Sequence, residues 1–167
     1  DTWYNAAKTQ LCYTAHGDAQ QYEKMQNACF ETLKEALIQT PDRDAVTFTI
    51  EDNSDYCDCD ACNAMKAQYG ALSSTVILFL NDLNARVRAW FETEEGKPYA
   101  RNLRIVFFAY NAFEAAPATY NSSTGKYEPN NGIKMDDGVY CMLAPIRMDY
   151  YRPITDPLNQ EYFTNLK

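Results

Sequence analysis

The sequence predicts an α/β fold with parallel strands, and three observations carry the prediction. Two long segments repeat apolar residues at helical spacing, three shorter ones are rich in β-branched and aromatic residues, and the two kinds alternate along the chain. Strands that alternate with helices pair in parallel through right-handed crossovers.

The first helix is expected over Asp18–Gln39. Tyr22, Met25, Cys29, Leu33 and Leu37 form its apolar stripe, Asp18 with Gln21 resembles a capping box, and Pro41 ends it. In Ala45-Val-Thr-Phe-Thr-Ile50 the apolar residues Val46, Phe48 and Ile50 alternate with threonines, as in a strand. A polar, cysteine-bearing loop is expected from Glu51 to about Gly70. The second helix follows over about Ser74–Glu94, with Val76, Leu80, Leu83, Val87 and Trp90 on one stripe and Gly96 and Pro98 closing it. Leu103-Arg-Ile-Val-Phe-Phe-Ala-Tyr110 is nearly continuously apolar, the pattern of a strand covered on both faces.

A long connection, 111–137, then replaces the expected crossover helix, with a short hairpin inside it over Tyr120–Tyr127. The third strand is Gly138-Val-Tyr-Cys-Met-Leu-Ala144, and after the loop Pro145–Pro157 a last helix begins and runs into Lys167. Three strands cannot close a barrel, which takes about eight. The chain, 1–167, therefore reads as a single fragment of about three β/α units. Its remaining strands are expected before Asp1 and after Lys167, in a longer parent polypeptide, or in a neighbouring molecule.

The formal net charge of −8 leaves no basic patch to neutralise phosphates and argues against nucleic acid. The sequence has no apolar run long enough for membrane insertion, and no basic-then-apolar leader follows Asp1. Aromatic residues make up 14%, including 13 tyrosines, whose apolar rings and polar tips suit both half-buried positions and the faces of sugars.

In parallel α/β architectures ligands bind at the carboxyl ends of strands. That rule selects Glu51, Asp52 and Asp55 after the first strand, Tyr110, Asn111 and Glu114 after the second, and Arg147, Asp149 and Tyr150 after the third. Carboxylates, an amide, an arginine and tyrosines on one face suit a polyhydroxylated ligand. A carboxylate pair is also what glycoside hydrolysis requires. Alternation along the strand points Glu51 and Asp52 in opposite directions, so they are not expected to form that pair.

The sharpest local feature is Asp55-Tyr-Cys57-Asp-Cys59-Asp-Ala-Cys62. With Cys12, placed just before the first helix, Cys57, Cys59 and Cys62 can make a tetrahedral structural zinc site. The rival is a pair of disulfides in an exported protein. Cysteines this close in a short loop are awkward to bridge locally, which favours the metal. Cys29 and Cys141 are read as buried core thiols. The aspartates around the cluster disfavour a nucleophilic thiolate, so no cofactor or cysteine is assigned to catalysis. His16, the one histidine, reads as a solvated loop residue.

Thr47-Phe-Thr-Ile-Glu-Asp52 followed by Tyr56-Cys-Asp-Cys-Asp-Ala-Cys62 resembles the hallmark of the bacterial family called domain of unknown function 4838. Gln10-Leu-Cys-Tyr-Thr14, Phe79-Leu-Asn81 and Ala109-Tyr110 with Pro117 support the likeness, which spans nearly the whole chain. Members of that family are similar to glycoside hydrolases of the α-glucuronidase and β-N-acetylhexosaminidase type. The resemblance thus implies a partial (β/α)8 TIM-type barrel that acts on or binds a complex glycan, in a bacterial protein that is extracellular or at the cell surface. It makes Asp52 the first choice for general acid or substrate-polarising carboxylate, with the second carboxylate expected from Glu114 or from a part of the barrel outside this chain. Tyr110, Asn111 and Arg147 become substrate contacts, and Arg147 would favour an acidic sugar such as a uronate. Two other readings stand beside this one: a non-catalytic glycan-binding barrel, and a structural module built around cysteine-ligated zinc.

Overall fold

A computed structural model describes residues 3–166. Asp1, Thr2 and Lys167 lie outside the described residues, and with them the expected continuation of the last helix into Lys167.

Helix α1 (Ala19–Gln39) begins as its sequence suggests, the Asp18 carboxylate accepting from the Gln21 N–H at 3.0 Å. Met25 and Leu37 of its stripe are buried, while Tyr22, Cys29 and Leu33 pack half-buried against the core. Strand β1 (Ala45–Thr47) stops earlier than the expected Ile50, although the Phe48 N–H still donates to Val106 at 2.9 Å.

The segment expected as loop up to Gly70 contains a helix instead, α2 (Asp60–Tyr69). Its composition hides it, because it has no long apolar stripe to reveal its period. Ala, Met, Lys and Gln are nevertheless strong helix formers, and Gly70, at φ +82°, supplies the left-handed residue that ends it. Its last carbonyls are taken by side chains from the long connection, Asn130 donating to Tyr69 at 2.8 Å and Asn131 to Gln68 at 2.6 Å.

Helix α3 (Ser73–Phe91) ends three residues before the expected Glu94. Its whole predicted stripe is buried, Val76, Leu80, Leu83 and Val87 completely. Strand β2 (Arg104–Ala109) follows; the connection then carries the hairpin β3 (Ala118–Asn121) and β4 (Lys126–Pro129), in which Tyr120 opposes Tyr127. Strand β5 (Val139–Leu143) starts beside Gly138, which only glycine can occupy. Its φ is +101°, and a Cβ there would meet the Arg88 guanidinium and lie 2.9 Å from Asn84 Oδ1. A short helix, α4 (Gln160–Leu166), closes the described chain.

The main sheet has the order β1-β2-β5, all parallel, with Val46 opposite Ile105 and Phe107 opposite Cys141. Each strand of this sheet lies beside the one before it in sequence. Ile105, Phe107 and Ala109 of β2 point under the helices and are buried. The opposite face was expected to be covered as well and is not: Val106 and Phe108 are half-buried, and Tyr140 and Met142 beside them are exposed. Among the described residues no helical layer covers that face. The same open setting corrects Cys141, which is exposed rather than in the core, while Cys29 is only half-buried.

Candidate metal centre and carboxylate pocket

Two groupings of chemically active side chains lie past the carboxyl end of β1, joined by the loop that runs from Glu51 into α2. The first is a knot of sulfur. The Sγ atoms of Cys12, Cys57, Cys59 and Cys62 all lie within 4.8 Å of one another. Cys12 is 3.8 Å from Cys59 and 3.7 Å from Cys62. A disulfide needs about 2.05 Å, and all four are free thiols. Around a tetrahedral ion with bonds of about 2.3 Å, neighbouring sulfurs stand about 3.8 Å apart, which matches the separations of Cys12 from Cys59 and Cys62.

The surroundings suit thiolates. Cys12 accepts from the His16 N–H at 3.1 Å, and the Thr14 hydroxyl lies 3.3 Å from Cys12 and 3.2 Å from Cys62. His16 itself is exposed, its Nε2–H donating to the Tyr4 carbonyl at 2.8 Å. The hydrogen bond between Cys62 and Cys12 lowers the Cys12 pKa and raises that of Cys62, and burial raises Cys57. Sulfurs this close cannot all ionise without a cation between them. Local folding sets the knot: Tyr13, next to Cys12, turns the other way into the core, its ring 5.4 Å from Phe79 and 5.9 Å from Phe113, and so fixes which way Cys12 points.

The second grouping is a polar cavity of about 310 Å³ lined by Asp52, Asn53, Ser54, Tyr110, Asn111, Glu114, Ile146, Arg147, Glu161 and Tyr162. All five residues selected from the sequence as catalytic or substrate-binding lie on its wall. Glu51, Asp55, Asp149 and Tyr150 do not: Asp149, for example, pairs with Arg152 at 3.2 Å. The Tyr110 hydroxyl donates to Asp52 at 2.7 Å. Asn111 sits at φ +53°, a conformation asparagine tolerates, and donates to the Ser54 hydroxyl at 3.1 Å.

Glu114 is half-buried and accepts from Asn165 at 3.0 Å. Burial raises its pKa above the ordinary glutamate value. Glu161 adds to the rise, and the Asn165 bond and Arg147 oppose it. The Tyr110 phenol is also raised, chiefly by its bond to Asp52. Arg147 is exposed at the cavity wall, in neither a hydrogen bond nor an ion pair with another described residue. Glu161, Tyr162 and Asn165 come from α4. No local signal marked them, because a short helix distant in sequence brings Glu161 and Tyr162 to the cavity wall and Asn165 to Glu114.

These features describe a parallel α/β unit with a clustered-thiol centre and a carboxylate pocket at the carboxyl edge of its sheet. The chain belongs to the family described as Domain of unknown function (DUF4838), whose family model matches residues 5–167. No curated protein and no solved structure matches it.

Proposed function

We propose that the chain is part of a (β/α)8-type barrel that processes a glycan by glycoside hydrolysis, with a structural zinc held by Cys12, Cys57, Cys59 and Cys62. The observation that carries this reading is the convergence of Asp52, Tyr110, Asn111, Glu114 and Arg147, from the ends of three parallel strands, on one polar cavity. The sequential strand order, helices on one face and an uncovered opposite face support the barrel, whose remaining strands would come from the parent polypeptide.

The chemistry divides between the two carboxyls. Glu114, half-buried and with its pKa raised by burial, is the better suited of the two to deliver a proton to the leaving glycosidic oxygen. The exposed Asp52, already accepting the Tyr110 proton on one oxygen, faces the cavity as nucleophile or base. Of the two roles first expected for Asp52, general acid or substrate-polarising carboxylate, this division passes the acid to Glu114. Asn111 and Tyr110 orient hydroxyls, and the unpaired guanidinium of Arg147 takes a carboxylate, which favours a uronate. Zinc, when bound, supplies cross-linking between the 5–12 segment and the 57–62 turn and no catalytic step. We place the parent protein at or outside the bacterial cell surface, where complex glycans are met.

The test is hydrolysis by the parent polypeptide across uronate- and N-acetylhexosamine-containing glycans, beside Asp52→Asn and Glu114→Gln. Turnover that each substitution lowers by about 10²-fold or more supports the reading. Sugar binding without turnover in the wild type would replace it with a glycan-recognition barrel. Neither binding nor turnover would leave a zinc-braced structural module.

A further inference from the structure

The loop that carries Asp52 is held at both ends by one short segment, residues 5–12. Gln10 is 2% exposed, and its side-chain amide pairs with the Glu51 backbone in both directions. Nε2 donates to the Glu51 carbonyl at 2.7 Å, and Oε1 accepts the Glu51 N–H at 3.2 Å. The same nitrogen reaches Asn53 Oδ1 at 3.0 Å, and that oxygen in turn accepts the Asp55 N–H at 2.9 Å. Asn5, also buried, donates to the Asp55 carbonyl at 2.6 Å. Two residues beyond Gln10, Cys12 turns toward the same loop and joins the three cysteines that follow Asp55. Asp52 lies between these anchorages, one residue from each of the two that Gln10 grips, with its own carboxylate left to meet Tyr110.

We infer that Gln10 is a positioning residue that couples the cysteine centre to the pocket. With the metal bound, the 5–12 segment is drawn against 51–62 and Asp52 is held beside Tyr110. Without it the two segments part and Asp52 loses its place. The inference rests on the metal reading of the four cysteines. Its physical basis is that a buried amide with both ends bonded has no equivalent partner elsewhere, so the segment and loop hold or release together. Coupling of this kind is reciprocal: if the metal orders the loop, weakening the loop weakens the metal.

The test uses cobalt(II), whose tetrathiolate absorption reports the centre directly, added to the reduced chain as wild type and Gln10→Ala. Hydrogen exchange over residues 50–56 is followed with and without metal. Cobalt should slow exchange of the Glu51 and Asp55 amides in the wild type and much less in Gln10→Ala. The variant should also bind cobalt about 10-fold more weakly or worse, while retaining the tetrathiolate spectrum.

Equal exchange over 50–56 with and without cobalt, in a wild type that shows the spectrum, would overturn the coupling and leave the metal centre standing. That measurement decides the matter even where Gln10→Ala does not fold. Metal-free protein that loses protection throughout α3 as well would make the metal a staple of the whole fold and would also overturn the coupling. Absence of a tetrathiolate spectrum would remove the metal reading and this inference together.

Discussion

The cysteine centre and the carboxylate pocket share one loop but are built in opposite ways. In the centre, Cys12, Cys57 and Cys62 are at most 5% exposed, and the neighbouring Tyr13 is locked into the aromatic core. In the pocket, Asp52 and Arg147 are exposed, and Arg147 is unpaired among the described residues. Buried groups with full sets of partners stabilise a fold, and removing one of them leaves the others unsatisfied. Exposed charges at strand ends add little to stability and are free to meet a ligand. The contrast separates what holds the loop from what the loop presents.

The largest expected effect lies on the buried side. Cys62→Ser should abolish tight zinc binding and reduce the stability of the zinc-loaded protein by about 4 kcal/mol or more, read by urea denaturation with metal analysis. A variant as stable as wild type, with metal still bound, would break the comparison at its stronger end. On the open side Asp52→Asn and Arg147→Ala should each change stability by no more than about 0.5 kcal/mol in the same assay. Arg147→Ala should instead act on the ligand. For a uronate substrate its KM should rise about 10-fold, equivalent to about 1.4 kcal/mol, while a neutral hexosaminide is unaffected. Equal losses on both substrates would remove Arg147 as the group that selects charge.

What the sequence disclosed follows the same division. Strong periodicity located α1, α3, β2 and β5 to within about three residues, because each buries a stripe or a face whose spacing survives in the letters. The gathering of the four cysteines, and of Asp52, Tyr110, Asn111, Glu114 and Arg147 on one cavity, was legible because cysteine spacing and strand ends are local features. Helix α2 was not, since it is largely polar and is recognised by propensity and its glycine cap rather than by a stripe. The uncovered face of β2 was misjudged because an apolar strand reads the same whether or not a second layer lies over it. Gln10 stood in a run that carried the family likeness, yet its role, like those of Asn5 and Glu161, could not be read, because an amide or a carboxylate acquires its role only from a partner distant in sequence, such as Gln10 from Glu51.

The smallest expected effect falls on Glu114, a half-buried carboxyl on the pocket wall. Burial, reinforced by Glu161, raises its pKa in the folded state. At low pH the carboxyl is protonated in folded and unfolded chains alike and contributes nothing to pH dependence. As pH rises past the ordinary glutamate value the unfolded chain ionises first, and stability declines until the folded carboxyl ionises too. Glu114→Gln keeps an oxygen for Asn165 and has no proton to lose. Its stability relative to wild type should therefore rise with pH and level off toward neutrality, as shown by urea midpoints from about pH 4 to about pH 8. A difference that stays flat would show Glu114 to be as solvated as Asp52 and would take away its role as the acid. A difference that rises, with the alkaline limb of kcat/KM falling over the same interval, would trace both effects to one proton and place the acid on the half-buried wall of the pocket.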